Sequence, residues 1–235
     1  MCSPKYRFAQ IWVWYYFEHY NKAVLNKHAG IDLKGGFCYA LSLMWMLDRN
    51  TMDAAIEDID QGVSEDEAEK NAASGGQTHQ ATASKSTHLK ETIKNHTKLF
   101  EETYDIFETY CNTYAQVAGN NPDARCNEDV ILAVDKAILS HCKADDMKAT
   151  TKGFEVRDLK QTDRFIGDKA LVKIVYLDAN GKDDSHTMAY KAHGSSEKLF
   201  FDPNFGVYDI TGEKAFSEFF QKYWCDIQTK EKLKT

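Results

Sequence analysis

One cysteine in the sequence follows a pair of glycines and opens a run of apolar residues. The stretch 34–45 reads KGGFCYALSLMW and contains Cys38. Its apolar residues recur with helical spacing over about 36–48, which predicts that Cys38 lies in the first turn of a helix. The partial positive charge of a helix N-terminus lowers the pKa of a thiol, and the thiolate is the nucleophilic form. Cys38 is therefore a candidate nucleophile, and a packed free cysteine is the alternative interpretation.

Two later segments could supply a base and an acid. In SHTMAY, His186 begins a predicted strand at the edge of a sheet, and in LFFDPNFG, Asp202 ends the next strand before Pro203. An aspartate near a histidine can hold the imidazole in one tautomer and one orientation. Each residue also has an ordinary interpretation, as a surface histidine and as a turn-forming Asp-Pro-Asn. Other acids that could serve in this role are Asp183, Asp184 and Asp209.

The elements that must position these residues change from helices to strands along the chain. Helical spacing predicts helices over 6–26, 36–48, 89–114 and 128–142, and a last helix over 215–224. The first helix carries an apolar face that is expected to be buried, formed by Phe8, Ile11, Trp12, Tyr15, Tyr16 and His19. A hairpin with Asn180-Gly181 at its turn is predicted from 171–177 and 186–193, and two further strands follow it. Helices first and an antiparallel sheet second indicate one α+β domain over residues 1–235.

A polar stretch interrupts the helical half of the chain. Residues 64–86 read SEDEAEKNAASGGQTHQATASKS and contain almost no large apolar side chain. Such a segment cannot bury a core, so a mobile loop or a frayed helix is expected there.

The three candidate segments resemble the motifs of the YopT-type cysteine proteases, bacterial virulence effectors with a papain-like fold. The matching stretches are GGFCYALSLMW, SHTMAYKAH and LFFDPNFGVYDI. The resemblance implies a helical N-terminal half packed on a C-terminal antiparallel sheet. It makes Cys38 the nucleophile, His186 the general base and acid, and Asp202 the group that fixes the imidazole tautomer. The implied reaction is acyl transfer from a protein substrate to the thiolate, followed by hydrolysis of the thioester.

The sequence departs from the papain-like pattern just before the cysteine. Papain-like enzymes usually place a Gln or Asn there to donate a hydrogen bond to the oxyanion, whereas Asp32 stands six residues before Cys38. A carboxylate repels an oxyanion unless it is protonated. Either Asp32 has no such role, or the backbone N–H groups of Phe37 and Cys38 bind the oxyanion. In the second case a further donor comes from elsewhere, and Gln10 is a candidate.

Composition excludes several other classes of function. The chain has 36 acidic and 29 basic residues and a net charge of -7, which argues against bulk binding of nucleic acid. The six cysteines show no zinc-like spacing, and no nucleotide-binding or zinc-protease motif occurs, so neither a metal nor a cofactor is expected. Their scatter along a chain of this size favours reduced thiols.

The N-terminal sequence bears on localisation. It lacks the pattern of a Sec signal peptide, and its longest apolar stretch, about Phe8 to Phe17, is too short to span a bilayer. Together with the resemblance, this predicts an effector that is made in the bacterial cytoplasm, delivered into the host cytosol, and active on a host protein. The sequence leaves the oligomeric state and the identity of the substrate open.

Two other functions fit the same residues. Transglutaminases and glutamine deamidases also use a Cys-His-Asp set and a thioester, and they attack a glutamine carboxamide in place of a peptide bond. A non-catalytic interaction module, with the aromatic first helix as its contact, is the third interpretation.

Overall fold

The helices and strands follow the order that the sequence predicts, with helices first and most strands after residue 168. The computed structural model describes residues 3–27, 37–47, 52–74, 87–119, 127–144, 147–153, 156–177, 183–194 and 196–231. In chain order the elements are β1 (Tyr6–Arg7), α1 (Gln10–Tyr20), α2 (Lys22–Lys27), α3 (Cys38–Met46), α4 (Met52–Ser74), α5 (Thr87–Asn95), α6 (Thr97–Ala118), α7 (Glu128–His141), a 3-10 helix (Val156–Arg164), β2 (Lys169–Leu177), β3 (Asp183–His193), β4 (Glu197–Asp202), β5 (Gly206–Asp209) and α8 (Phe216–Glu231). Within these ranges no helix is both long and apolar enough to span a bilayer.

The five strands form one antiparallel sheet in the order β1-β5-β4-β3-β2. The hairpin of β2 and β3 is confirmed, although its turn at 178–182 lies outside the described residues. Strand β3 therefore lies between β2 and β4, but β4 pairs with it only from Ala189 onward, so His186 pairs with Ile174 of β2 alone. The histidine thus lies at the margin of the sheet, but it is buried there, with 8% exposed, and is not a surface histidine. The α+β class, with a helical N-terminal half packed on a C-terminal antiparallel sheet, is confirmed.

Side chains alternate between the two faces of the sheet and build a core on each face. Ala189 and Phe201 point toward the helical half, where Phe201 packs on Trp45 of α3 with ring centroids 5.3 Å apart. Met188 and Phe200 point to the opposite face, which α8 covers with aromatic side chains. The period of two along each strand therefore places α3 and α8 on opposite sides of the same sheet.

The N-terminal residues differ most from the sequence-based expectation. Residues 6 and 7 form strand β1 and pair with Val207 and Gly206 of β5, so the first helix begins only at Gln10. Its buried residues are Val13, Tyr16 and Phe17, while Ile11 and His19 of the predicted apolar face are exposed. A pairing between the two ends of the chain is non-local and leaves no periodic signal in residues 6–7.

Two further differences concern the middle of the helical half. The helix predicted over 89–114 is divided at His96 into α5 and α6, and α4 continues to Ser74 through part of the polar stretch. The buried carboxylate of Asp66 caps α5, because it accepts hydrogen bonds from the backbone N–H groups of residues 87, 88 and 89 at 3.1, 3.2 and 3.1 Å. Residues 75–86, the remainder of the polar stretch, lie outside the described residues.

Candidate active site

Cys38 is the first residue of α3, as the spacing of the apolar residues predicts. Phe37 precedes it and is anchored in the core, where its ring is 1% exposed and stacks on Tyr104 at 4.5 Å. The carbonyl of Phe37 accepts the first hydrogen bond of the helix, from Leu41 N–H at 3.0 Å. The apolar anchor therefore fixes the start of the helix, and the thiol lies where the helix dipole favours an anion.

His186 and Asp202 lie on the neighbouring strands β3 and β4, and their side chains meet. His186 Nε2 is 2.9 Å from Asp202 Oδ1, and the two residues are only 8% and 0% exposed. The same carboxylate oxygen accepts the backbone N–H of Asn204 at 2.7 Å, and Oδ2 accepts the hydroxyl of Tyr223 at 2.6 Å. The carboxylate is thus held by three donors.

The thiol of Cys38 reaches the other side of the same imidazole. Burial acts to raise the pKa of Cys38, but the hydrogen bond and the charge of His186 outweigh it and bring the pKa below the ordinary value of 9.0. A backbone hydrogen bond from Thr187 to the sulfur acts in the same direction. Burial acts to lower the pKa of His186, and the charge of Asp202 with its hydrogen bond raises it well above the ordinary 6.5. Both shifts favour a thiolate-imidazolium pair.

A second contact fixes the distance between α3 and β3. Ser42 lies one turn after Cys38 and is fully buried, and its hydroxyl donates to the carbonyl of Thr187 at 2.9 Å. One peptide unit on each side of Thr187 therefore contacts α3, through the cysteine sulfur and through the serine hydroxyl. The helix that carries the thiol and the strand that carries the imidazole are held in register by these two bonds.

Of the other acids considered from the sequence, Asp184 and Asp209 make their contacts elsewhere, and the side chain of Asp183 lies outside the described part of the chain. Asp184 accepts hydrogen bonds from the Tyr176 hydroxyl at 3.3 Å and from the Ser185 backbone at 2.7 Å. Asp209 accepts the backbone N–H of Thr211 at 2.9 Å, which lowers its pKa. Asp202 is the acid that contacts His186.

The residues considered as hydrogen-bond donors to the oxyanion differ in where the structure places them. Gln10 begins α1 beside the turn that follows Asp202, where its backbone N–H donates to Pro203 O at 2.7 Å. Its side-chain Nε2 donates to Asn204 Oδ1, also at 2.7 Å, so one of the two N–H groups of this amide is bound in the turn. Asp32 and the glycines at 35 and 36 lie outside the described residues. The backbone of Phe37 and Cys38 at the helix start remains the candidate oxyanion donor on the described part of the chain.

Sequence reasoning missed two donors to the carboxylate. Asn204 could have been found, because a residue two positions after an aspartate is the usual donor in an Asx turn. Tyr223 could not, because it lies 21 residues away on a different element. In the described part of the chain, no group of three or more His, Cys, Asp or Glu side chains is placed to hold a metal ion.

Comparisons with known proteins complete the description of the site. A comparison with curated proteins finds no match. Among solved structures, the crystal structure of the Pseudomonas avirulence protein AvrPphB is similar, with 12% identity and a TM-score of 0.46 over 84% of this chain and 86% of that chain. The family model described as the Yersinia/Haemophilus virulence surface antigen matches residues 15–235, nearly the whole chain. The chain therefore belongs to this family of cysteine peptidases, which is associated with bacterial virulence.

Proposed function

We propose that Cys38, His186 and Asp202 form the catalytic triad with which this cysteine protease cleaves a protein of its target cell. The observation that carries the proposal is the continuous set of hydrogen bonds from the thiol through the imidazole to the buried carboxylate. The same three residues are compatible with peptide hydrolysis and with glutamine modification. Family membership favours the peptidase.

In the first half of the reaction, the Cys38 thiolate attacks the carbonyl carbon of the scissile peptide bond. The carbonyl electron pair moves to the oxygen and forms an oxyanion. His186 contacts the carboxylate through Nε2, which leaves Nδ1 to face the sulfur and the leaving group. The imidazolium gives its proton to the leaving amine nitrogen, the C–N bond breaks, and a thioester with Cys38 remains.

In the second half, the neutral imidazole of His186 takes a proton from water, and the resulting hydroxide attacks the thioester carbonyl. The C–S bond breaks, the carboxylic acid product leaves, and the thiolate-imidazolium pair is restored. Asp202 keeps its charge throughout and stabilises the imidazolium in each half-reaction.

The oxyanion of both half-reactions is bound at the start of α3. The backbone N–H of Cys38 belongs to the first turn of the helix and has no intrahelical acceptor. Phe37 supports this geometry, because its buried ring holds the helix start against Tyr104. A preorganised N–H at this position stabilises charge that develops only in the transition state.

Membership in a family of virulence proteins supports a proposal for the substrate and for the place of action. We infer a protein of the host cytosol as substrate, with the enzyme delivered there from the bacterial cytoplasm.

The test compares the wild-type protein with Cys38→Ala in a lysate of target cells. New peptide N-termini that form with the wild type and not with the variant are expected, and mass spectrometry of labelled N-termini detects them. Circular dichroism of the variant should match that of the wild type. Cleavage that persists in Cys38→Ala contradicts the proposed nucleophile, and release of ammonia without new N-termini indicates glutamine chemistry instead.

A further inference from the structure

We propose that Tyr223 of α8 is a positioning residue of the site, which binds the Asp202 carboxylate and holds it oriented toward His186. The inference rests on the triad proposed above and adds a fourth side chain to it, contributed by the last helix. The contact that carries it is the hydrogen bond from the Tyr223 hydroxyl to Asp202 Oδ2 at 2.6 Å.

The carboxylate of Asp202 lies where water cannot stabilise its charge. Its side chain is fully buried, and Tyr223 is 3% exposed. His186 and the backbone N–H of Asn204 both bind Oδ1, whereas Tyr223 binds Oδ2. A buried carboxylate oxygen without a donor strongly disfavours the charged form. The phenol therefore satisfies the half of the carboxylate that the imidazole does not reach.

Packing holds the phenol in this orientation. The ring of Tyr223 contacts Phe200 and Tyr208 edge-on at 5.1 and 5.2 Å, and it stacks on Phe219 at 5.6 Å. A hydrogen bond also joins it to Tyr208. These contacts hold the ring in the orientation that directs its hydroxyl at Asp202 Oδ2.

The same surroundings keep Tyr223 a proton donor at every working pH. Burial raises its pKa far above the ordinary 10.0, and the charge of Asp202 adds to this effect. The phenol stays neutral, and it donates a hydrogen bond without titrating.

Removal of the Tyr223 hydroxyl should raise the pKa of the Cys38 thiol, and the effect should pass through two residues, Asp202 and His186. In Tyr223→Phe, the buried Oδ2 of Asp202 loses its donor, so the carboxylate is held less firmly and its hydrogen bond to His186 weakens. The imidazolium is then less stable, and the charge that lowers the pKa of Cys38 is partly lost. Tyr223 thus acts on the sulfur only through Asp202 and His186.

The experiment measures the rate constant for alkylation of Cys38 by iodoacetamide as a function of pH, which needs no substrate. For Tyr223→Phe, we expect the midpoint of the profile to rise by roughly one pH unit, as loss of one hydrogen bond to a charged group would produce. Phe keeps the aromatic ring but leaves a buried carboxylate oxygen without its donor, so the thermal midpoint should fall by a few degrees, and the alkylation is measured well below that transition. The matched control is Tyr190→Phe, which removes a tyrosine hydroxyl from the same aromatic cluster, where the ring of Tyr190 contacts Phe216. It should leave the profile unchanged.

The same substitution in a second protein distinguishes a positioning role of Tyr223 from a merely structural one. In an Asp202→Ala protein, the added Tyr223→Phe change should produce no further shift, because the residue through which it acts is gone. A full shift in that background, or no shift in the wild-type background, overturns the inference. If wild-type Cys38 itself shows no alkylation below the range of an ordinary thiol, the proposed triad fails as well, so the two failures are distinguishable.

Discussion

At the scale of single residues, the site depends on a competition between burial and charge. Burial is the largest influence on the Cys38 thiol and acts against its ionisation, yet the pKa of the thiol is lowered. His186 decides the outcome, because it supplies both a hydrogen bond and a positive charge to the sulfur. Its positive charge depends in turn on Asp202, since burial alone would lower the pKa of the imidazole. Each member of the triad therefore sets the protonation of the next.

Replacement of His186 should turn Cys38 into an unreactive buried thiol. In His186→Gln the lowering influences of the imidazole are absent and burial remains, so the pKa of Cys38 rises above 9.0. At pH 7 the thiolate fraction then falls to about 1% or less. In the wild type, the thiolate persists at pH values below 9.0 and is lost only when pH falls through the lowered pKa of the thiol. The alkaline limit of activity comes from His186, whose imidazolium is lost as pH rises through its raised pKa.

Iodoacetamide alkylation of Cys38 at pH 7, read by mass spectrometry, measures this difference. Labelling of the exposed Cys225 in the same sample is the internal reference and should be equal in both proteins. Equal alkylation of Cys38 in the wild type and in His186→Gln would contradict the thiolate-imidazolium pair.

At the scale of elements, local patterns predict the three that carry the triad. The apolar spacing after Cys38 predicts α3, the alternation around His186 predicts β3, and Pro203 marks the end of β4 at Asp202. Contacts between distant parts of the chain could not be predicted in this way. The pairing of β1 with β5 and the reach of α8 to the carboxylate join residues that share no local pattern. The requirement for glycine at the end of the FFDPNFG motif likewise becomes clear only from the fold.

That glycine, Gly206, should not tolerate a side chain. Its φ of +120° is a conformation that residues with a Cβ rarely adopt, and a Cβ there would collide with the backbone of β1 at Tyr6 and Arg7. We expect Gly206→Ala to lower the free energy of unfolding by about 2 kcal/mol or more, since β1 must move away from β5. Urea denaturation measures the effect.

The matched control is Gly212→Ala, because a Cβ at Gly212 would meet no atom within 4 Å. This variant should stay within about 0.5 kcal/mol of the wild type. Equal stability of the two variants would show that β1 does not require a glycine opposite it.

At the scale of the whole molecule, one polar network joins the helical half to the sheet. The ammonium of Lys191 in β3 is 2% exposed, lies 2.6 Å from Asp53 Oδ2 and sits 4.1 Å from the centroid of the Trp45 ring. Trp45 Nε1 donates to the other oxygen of Asp53 at 2.7 Å. Residues of α3, α4 and β3 thus meet at one carboxylate. A lysine in a strand suggests solvent exposure, so the sequence offered no sign of this buried cation.

Loss of the Asp53 carboxylate should destabilise the protein more than loss of the lysine charge. In Asp53→Ala the buried ammonium of Lys191 lacks this counter-charge, and we expect the free energy of unfolding to fall by about 2 kcal/mol. The cost is at the lower end for a buried pair because the Asp53 side chain is 52% exposed and water can enter. Lys191→Met removes the charge and keeps most of the volume, so it should change stability by less than about 1 kcal/mol.

The decisive protein combines the two changes. Lys191→Met in the Asp53→Ala background should recover at least half of the lost stability in urea denaturation, because no uncompensated cation remains. Glu91→Ala is the surface control, since Glu91 pairs with Lys94 at 3.2 Å on the exposed face of α5, and it should cost less than about 0.5 kcal/mol. If the double variant is as unstable as the sum of the single changes, the network contributes through packing and the charge of Lys191 is not what Asp53 compensates. Recovery would mean that the Asp53–Lys191 ion pair joins α4 to the strand bearing the imidazole, at the place where Trp45 of the helix bearing the thiol also contacts it.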